Sequence, residues 1–117
     1  MEIPRKLQDQ IVQYQQMEKQ LENLQLQRAQ IAAQMAEVQS ALEALERASP
    51  DAVVYETRGS IMVRRSGREE VMAELKERKD LLEVRLKSVE KNFAELQARF
   101  ADLQRKLASK LGGVQAG

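Results

Sequence analysis

Along two stretches of the chain, apolar side chains return after three residues and then after four, without a slip. In the first stretch Leu7, Tyr14, Leu21, Arg28, Met35 and Leu42 take position a of a heptad, and Gln10, Met17, Leu24, Ile31, Val38 and Leu45 take position d. In the second, position a is Met72, Lys79, Leu86, Phe93, Phe100 and Leu107, and position d is Leu75, Leu82, Val89, Leu96 and Leu103. This spacing keeps one apolar seam turned toward a partner helix. Two long helices are therefore predicted, over residues 5–49 and 67–111. Folded back on each other, they set Leu45 against Met72, Leu24 against Phe93 and Tyr14 against Leu103; registers shifted by a heptad also satisfy the pattern. Gln10, Arg28 and Lys79 interrupt the seam. Polar residues there fix register at a cost in stability, or lay their stems along the seam with their charged ends in water.

Between the helices lies a short run of strand formers, predicted as a β-hairpin over 53–64. Val53, Val54 and Tyr55 make one arm and Ile61, Met62 and Val63 the other. Thr57-Arg58-Gly59-Ser60 supplies the turn, with Gly59 available for positive φ. A three-residue loop puts Val53, Tyr55, Ile61 and Val63 on one face; a two-residue loop mixes the faces. The sequence allows both. The punctuation agrees with these elements. Pro4 suits a first helical turn, and Ser49-Pro50-Asp51 ends the first helix. Ser66 with Glu69 reads as a capping box for the second, and Gly112-Gly113 as its stop.

A two-stranded hairpin is marginal alone in water. Its edges and apolar face need partners, and one pair of helices cannot cover both. Hairpins from several chains joining into a shared sheet or barrel is the economical outcome, so oligomerisation is expected on physical grounds. The fold class is accordingly mainly α: a long antiparallel coiled coil with one hairpin, in a single unit spanning residues 1–117.

Composition narrows the function. Aromatic residues make up 3% of the 117 residues and charged residues 32%, which suits a narrow helix seam better than a thick core. The net charge of +1 gives no strong field to attract nucleic acid or an anionic membrane. The basic cluster Arg58, Arg64, Arg65 and Arg68 lacks interleaved aromatics, so it is expected to pair with acidic groups on a neighbouring subunit or to be solvated, with no nucleic acid bound. With no Cys and no His, thiolate and imidazole metal sites and histidine acid–base pairs are excluded. There is no phosphate-binding Gly loop and no isolated carboxylate pair, so no enzymatic activity, metal or cofactor is expected. No apolar run follows the first residues, and no stretch is long enough to span a bilayer, so a cytoplasmic location without membrane contact is expected.

The segment Val54-Tyr55-Glu56-Thr57-Arg58-Gly59-Ser60-Ile61-Met62-Val63, flanked by Leu42-Glu43-Ala44-Leu45 and by residues 70–85, resembles the hairpin and flanking helices of the archaeal prefoldin beta family. The likeness extends over nearly the whole chain, with Glu56 standing where that family commonly has Lys. It implies a hexamer of two alpha and four beta subunits whose hairpins form a double β-barrel platform. It further implies that the free helix ends hold unfolded protein without consuming nucleotide and pass it to a group II chaperonin.

On this reading Ile3, Leu7, Ile11, Val12, Leu107, Leu111 and Val114 are the candidate contacts to non-native polypeptides. Ile11 and Val12 lie off the seam and widen the apolar stripe. Leu7, Leu103 and Leu107 occupy seam positions, where they also serve to zip the coil closed. Val53, Val54, Tyr55, Ile61, Met62 and Val63 are the candidate oligomerisation residues. The alternative is a coiled-coil scaffold or tether that binds one folded partner and no unfolded chain.

Overall fold

The structure, a computed structural model, describes the backbone of residues 3–116 and the side chains of residues 3–112. Helix α1 spans Arg5–Arg47, strands β1 and β2 span Tyr55–Arg58 and Ile61–Arg64, and helix α2 spans Arg68–Ala116. The chain divides into two units. One holds the chain up to Ala29 together with Lys87 onward; the other is Gln30–Leu86.

The heptad reading holds residue by residue. The side chains buried among the described residues are Leu7, Ile31, Val38 and Leu42 of α1 and Met72, Leu82, Leu96, Leu103 and Leu107 of α2, each at a predicted a or d position. Within each unit the two helices run antiparallel. In the first, the rings of Tyr14 and Phe100 stack at 4.6 Å between centroids, and Tyr14 also packs on the buried cluster that contains Leu103. All three polar interruptions of the seam find partners across the coil. The Arg28 guanidinium lies over the Phe93 ring, Lys79 Nζ donates to Gln39 Oε1 at 2.8 Å, and Gln10 Oε1 accepts from Lys110 Nζ at 2.7 Å.

The helix ends differ in detail from expectation. The α1 helix stops at Arg47, two residues early. The Ala48 amide is shared between the carbonyls of Ala44 and Leu45, and the Ala48 carbonyl accepts from Arg68 Nη1 at 2.7 Å. A side chain from the start of α2 thus satisfies one of the carbonyls a helix end leaves open. Pro50 then sits in a turn closed by the Ala52 amide donating to the Ser49 carbonyl at 2.9 Å. The Ser66–Glu69 capping box does not form. Gly67, at φ 153°, takes the position before α2, its carbonyl accepting from the Val71 amide, while the Ser66 hydroxyl bonds the Glu70 carboxylate. Nor does Gly112 end the helix: α2 continues to Ala116. Gly112 stays out of the left-handed region that a glycine stop uses, at a cost of ~1 kcal/mol relative to Ala.

The hairpin resolves the choice of loop. Its register pairs Tyr55 with Arg64, Glu56 with Val63, Thr57 with Met62 and Arg58 with Ile61. The connection is therefore the two residues Gly59-Ser60, with Gly59 at φ 61°, as a type II′ turn requires at its first central position. Opposed residues share a face, so the faces are mixed: Tyr55, Thr57, Met62 and Arg64 lie on one, and Glu56, Arg58, Ile61 and Val63 on the other. Val53 and Val54 precede β1 rather than belonging to it, although the Val54 carbonyl still accepts from the Arg65 amide at 2.8 Å.

Candidate functional site: the helix ends and the hairpin

At the helix ends, seam geometry separates residues that close the coil from residues that remain available. Leu7 (4% exposed) and Leu107 (6%) form a buried cluster with Leu103, against which Ile11, Tyr14 and Met17 pack. Leu7 and Leu107 thus serve first to close the coil. Ile3, Leu111 and above all Val12, at 51% exposure, remain open to solvent, and Ile11 is half-buried. The side chain of Val114 lies outside the described residues.

Ile11 and Leu111 both occupy e positions of their heptads, one on each helix. An open groove of about 500 Å³ runs between them, floored by Tyr14 and Leu107 and edged by Gln15 and Gln104. Seam spacing does not single out this groove as a unit. Its signal is nonetheless present in the sequence: both helices carry an apolar e position near their free ends, and an antiparallel pair brings e beside e. In the same unit, a second groove of about 350 Å³ is lined largely by polar side chains, among them Gln20, Asn23, Gln27 and Asn92. The two grooves therefore offer different chemistry, and the apolar one lies toward the free ends.

In the other unit the hairpin leaves its apolar residues uncovered. Tyr55, Ile61, Met62 and Val63 are exposed, with Met62 at 68%; Val53 is exposed and Val54 half-buried. Arg65, placed by the sequence in a basic cluster expected to face a neighbouring subunit or solvent, instead anchors the hairpin base within the chain. Arg65, whose side chain is 19% exposed, donates from Nη1 to Glu56 Oε2 at 2.8 Å and from Nη2 to both carboxylate oxygens of Glu74 at 2.6 and 2.7 Å. The hydrogen bond from Arg65 holds the Glu56 carboxyl below its ordinary pKa; burial opposes it, and the charge of Arg58 adds to the lowering. Hydrogen bonding to Glu74 first, then to Glu56, raises the Arg65 pKa. The Glu56 departure noted in the sequence thus has a structural use: a Lys there could not accept from Arg65. Spacing alone could not reveal this clamp, because Arg65 is nine residues from each partner.

Among the described residues, no three His, Cys, Asp or Glu side chains are grouped to hold a metal ion, and no helix is long and apolar enough to cross a membrane. What the two regions offer chemically is uncovered apolar surface and unpaired strand edges, both of which gain free energy by association.

A family profile described as Prefoldin subunit matches residues 8–113. The prefoldin subunit beta of Methanothrix thermoacetophila is 40% identical over 111 residues, covering 95% of this chain and 92% of that protein. That of Archaeoglobus fulgidus is 36% identical over 116 residues, covering 99% and 98%. Among solved structures, the crystal structure of the prefoldin beta subunit from Thermococcus strain KS-1 superposes with a TM-score of 0.81 at 31% identity, covering 94% of this chain and 96% of that one.

Proposed function

Because the chain belongs to the prefoldin beta family, a family of chaperone subunits, we propose that it binds non-native polypeptides at its helix ends and prevents their aggregation without using nucleotide. It does so as one of four beta subunits that join two alpha subunits through their hairpins, in the cytoplasm, and the complex passes clients to a group II chaperonin. The observation that carries this reading is the apolar surface left at the helix ends: Ile3, Val12 and Leu111 stay open beside a Leu7–Leu103–Leu107 cluster that already closes the coil. Apolar area that the fold does not use is available to unfolded chains, which gain ~25 cal/mol per Å² of apolar surface removed from water. Each contact is weak, and several arms holding one client supply avidity.

The test is reconstitution with an archaeal prefoldin alpha subunit, followed by dilution of a guanidine-unfolded model enzyme into the complex. Wild-type complex should suppress light scattering. The triple variant I3S/V12S/L111S should assemble to the same native mass and suppress scattering much less. Equal suppression by that assembled variant would remove the helix ends as the binding site. Binding to one folded partner, with no effect on unfolded chains, would favour the scaffold instead.

A further inference from the structure

The polar groove of the first unit lies on the other side of the seam from the apolar one. Gln20 and Gln27 are g positions of α1, and Asn92 and Arg99 are g positions of α2. An antiparallel pair brings g beside g, as it brings e beside e. Asn23 and Glu95 widen the two rims, and half-buried Leu24 and buried Leu96 form the floor. The space between the rims is about 350 Å³.

Six polar side chains thus face one groove, and the fold uses none of them. Gln20, Asn23, Gln27, Asn92, Glu95 and Arg99 take part in no side-chain hydrogen bond or ion pair among the described residues. Elsewhere in the coil polar side chains are joined across the seam, as Gln39 is to Lys79 and Gln10 to Lys110. Glu95 and Arg99 stay apart although they stand four residues apart in the order that favours an ion pair on a helix. Their charges are opposite, so the groove carries no net charge and favours neither an anion nor a cation. Its four carboxamides each offer both a donor and an acceptor.

The ligand that answers this surface is neutral, elongated and lined with donors and acceptors. The main chain of an extended polypeptide has that chemistry. Gln20 and Gln27 stand ~10 Å apart along the helix, the rise of about three extended residues. The leucine floor keeps water from one side of such bonds, which strengthens them. A folded protein has its main chain paired already and has little to offer the groove; an unfolded one does not.

Resting on the client-binding reading above, we propose that this groove is a second subsite for non-native polypeptide, holding extended main chain through Gln20, Asn23, Gln27 and Asn92. The apolar groove takes large side chains, and this one takes stretches that lack them.

The experiment uses the complex reconstituted with an archaeal prefoldin alpha subunit and two probes: the unfolded model enzyme, and a fluorescent disordered Gly/Ser peptide of about 20 residues. The variant Q20A/N23A/Q27A/N92A should keep the native mass, hold the unfolded enzyme about three- to tenfold more weakly, and lose the peptide. I3S/V12S/L111S should keep the peptide. Q16A/Q25A/Q30A/Q97A, which removes exposed carboxamides outside the groove, should behave as wild type. The peptide N-methylated at every glycine should not bind. If wild type holds the unfolded enzyme and the groove substitutions leave that affinity unchanged, or if the peptide does not bind wild type, the subsite is wrong and the client-binding reading stands. Peptide binding that survives the groove substitutions or the N-methylation also overturns it, as does equal weakening by the substitutions outside the groove. A native mass that the groove substitutions halve would make the groove a contact between two complexes instead. If wild type holds no unfolded enzyme, the client-binding reading fails and takes this inference with it.

Discussion

The guanidinium carbon of Arg28 sits 5.0 Å from the centroid of the Phe93 ring. The one charged residue at an a position of α1 is thus placed on the face of an aromatic residue at an a position of α2. A cation over a ring face is worth ~0.5–1 kcal/mol at a partly exposed site. Phe93→Leu keeps an apolar seam residue and removes that attraction. It should destabilise by about 1 kcal/mol in urea unfolding, whereas Arg28→Lys, which keeps the charge, should lose less. Arg28→Leu should raise the unfolding midpoint but loosen the register. Disulfide trapping between engineered cysteines at heptad-shifted positions would detect the loosening.

The helix ends separate stability from binding. Leu103→Ala removes a buried side chain and should cost ~2–4 kcal/mol. Val12→Ser alters a side chain at 51% exposure and should change stability by no more than ~0.5 kcal/mol while reducing aggregation suppression. Chemical denaturation and light scattering on the same two variants check both halves.

Acid should loosen the hairpin base. The Glu56 carboxyl is held below its ordinary pKa of 4.5 by Arg65. Its contribution is therefore complete above the ordinary carboxylate pKa and is lost as pH falls through the lowered folded value. Hydrogen exchange at the Arg65 amide, which donates to the Val54 carbonyl, should show protection steady from pH 7 to about 5 and falling below that, once corrected for intrinsic rates. Glu56→Gln should start with lower protection and show a shallower acid dependence. An unchanged dependence in that variant would mean that Glu74 alone holds Arg65.

Two glycines should respond to alanine in opposite directions. Gly59 lies at φ 61° in the two-residue turn, so Gly59→Ala should destabilise the hairpin by ~1–2 kcal/mol and weaken assembly. Gly112 lies within α2, and a methyl group added there would meet nothing within 4 Å. Gly112→Ala should raise helicity and stabilise the helix end by up to ~1 kcal/mol. Circular dichroism and thermal unfolding distinguish the two.

The heptad positions could be read in advance because helical burial is periodic. Once Leu24, Ile31 and Val38 recur at seam spacing, geometry alone turns them to one face, and the structure buries or half-buries every a and d residue. Pro50 likewise ends α1 nearby for a local steric reason. The hairpin was legible as strand formers around a glycine, but its pairing was not. One residue more or less in the loop exchanges the faces of an entire strand, and no local preference separates Arg58-Gly59-Ser60 from Gly59-Ser60.

The sequence by itself determined the two helices, the seam between them, and the presence of a strand pair. Each follows from the spacing of residues a few positions apart. Only the tertiary structure decided that Arg65 joins Glu56 to Glu74, that Arg68 caps α1, and that Ile11 and Leu111 border one groove. Those arrangements join residues distant in sequence through long side chains with many rotamers. Their selection depends on where the backbone has already brought the ends together, which no local pattern encodes.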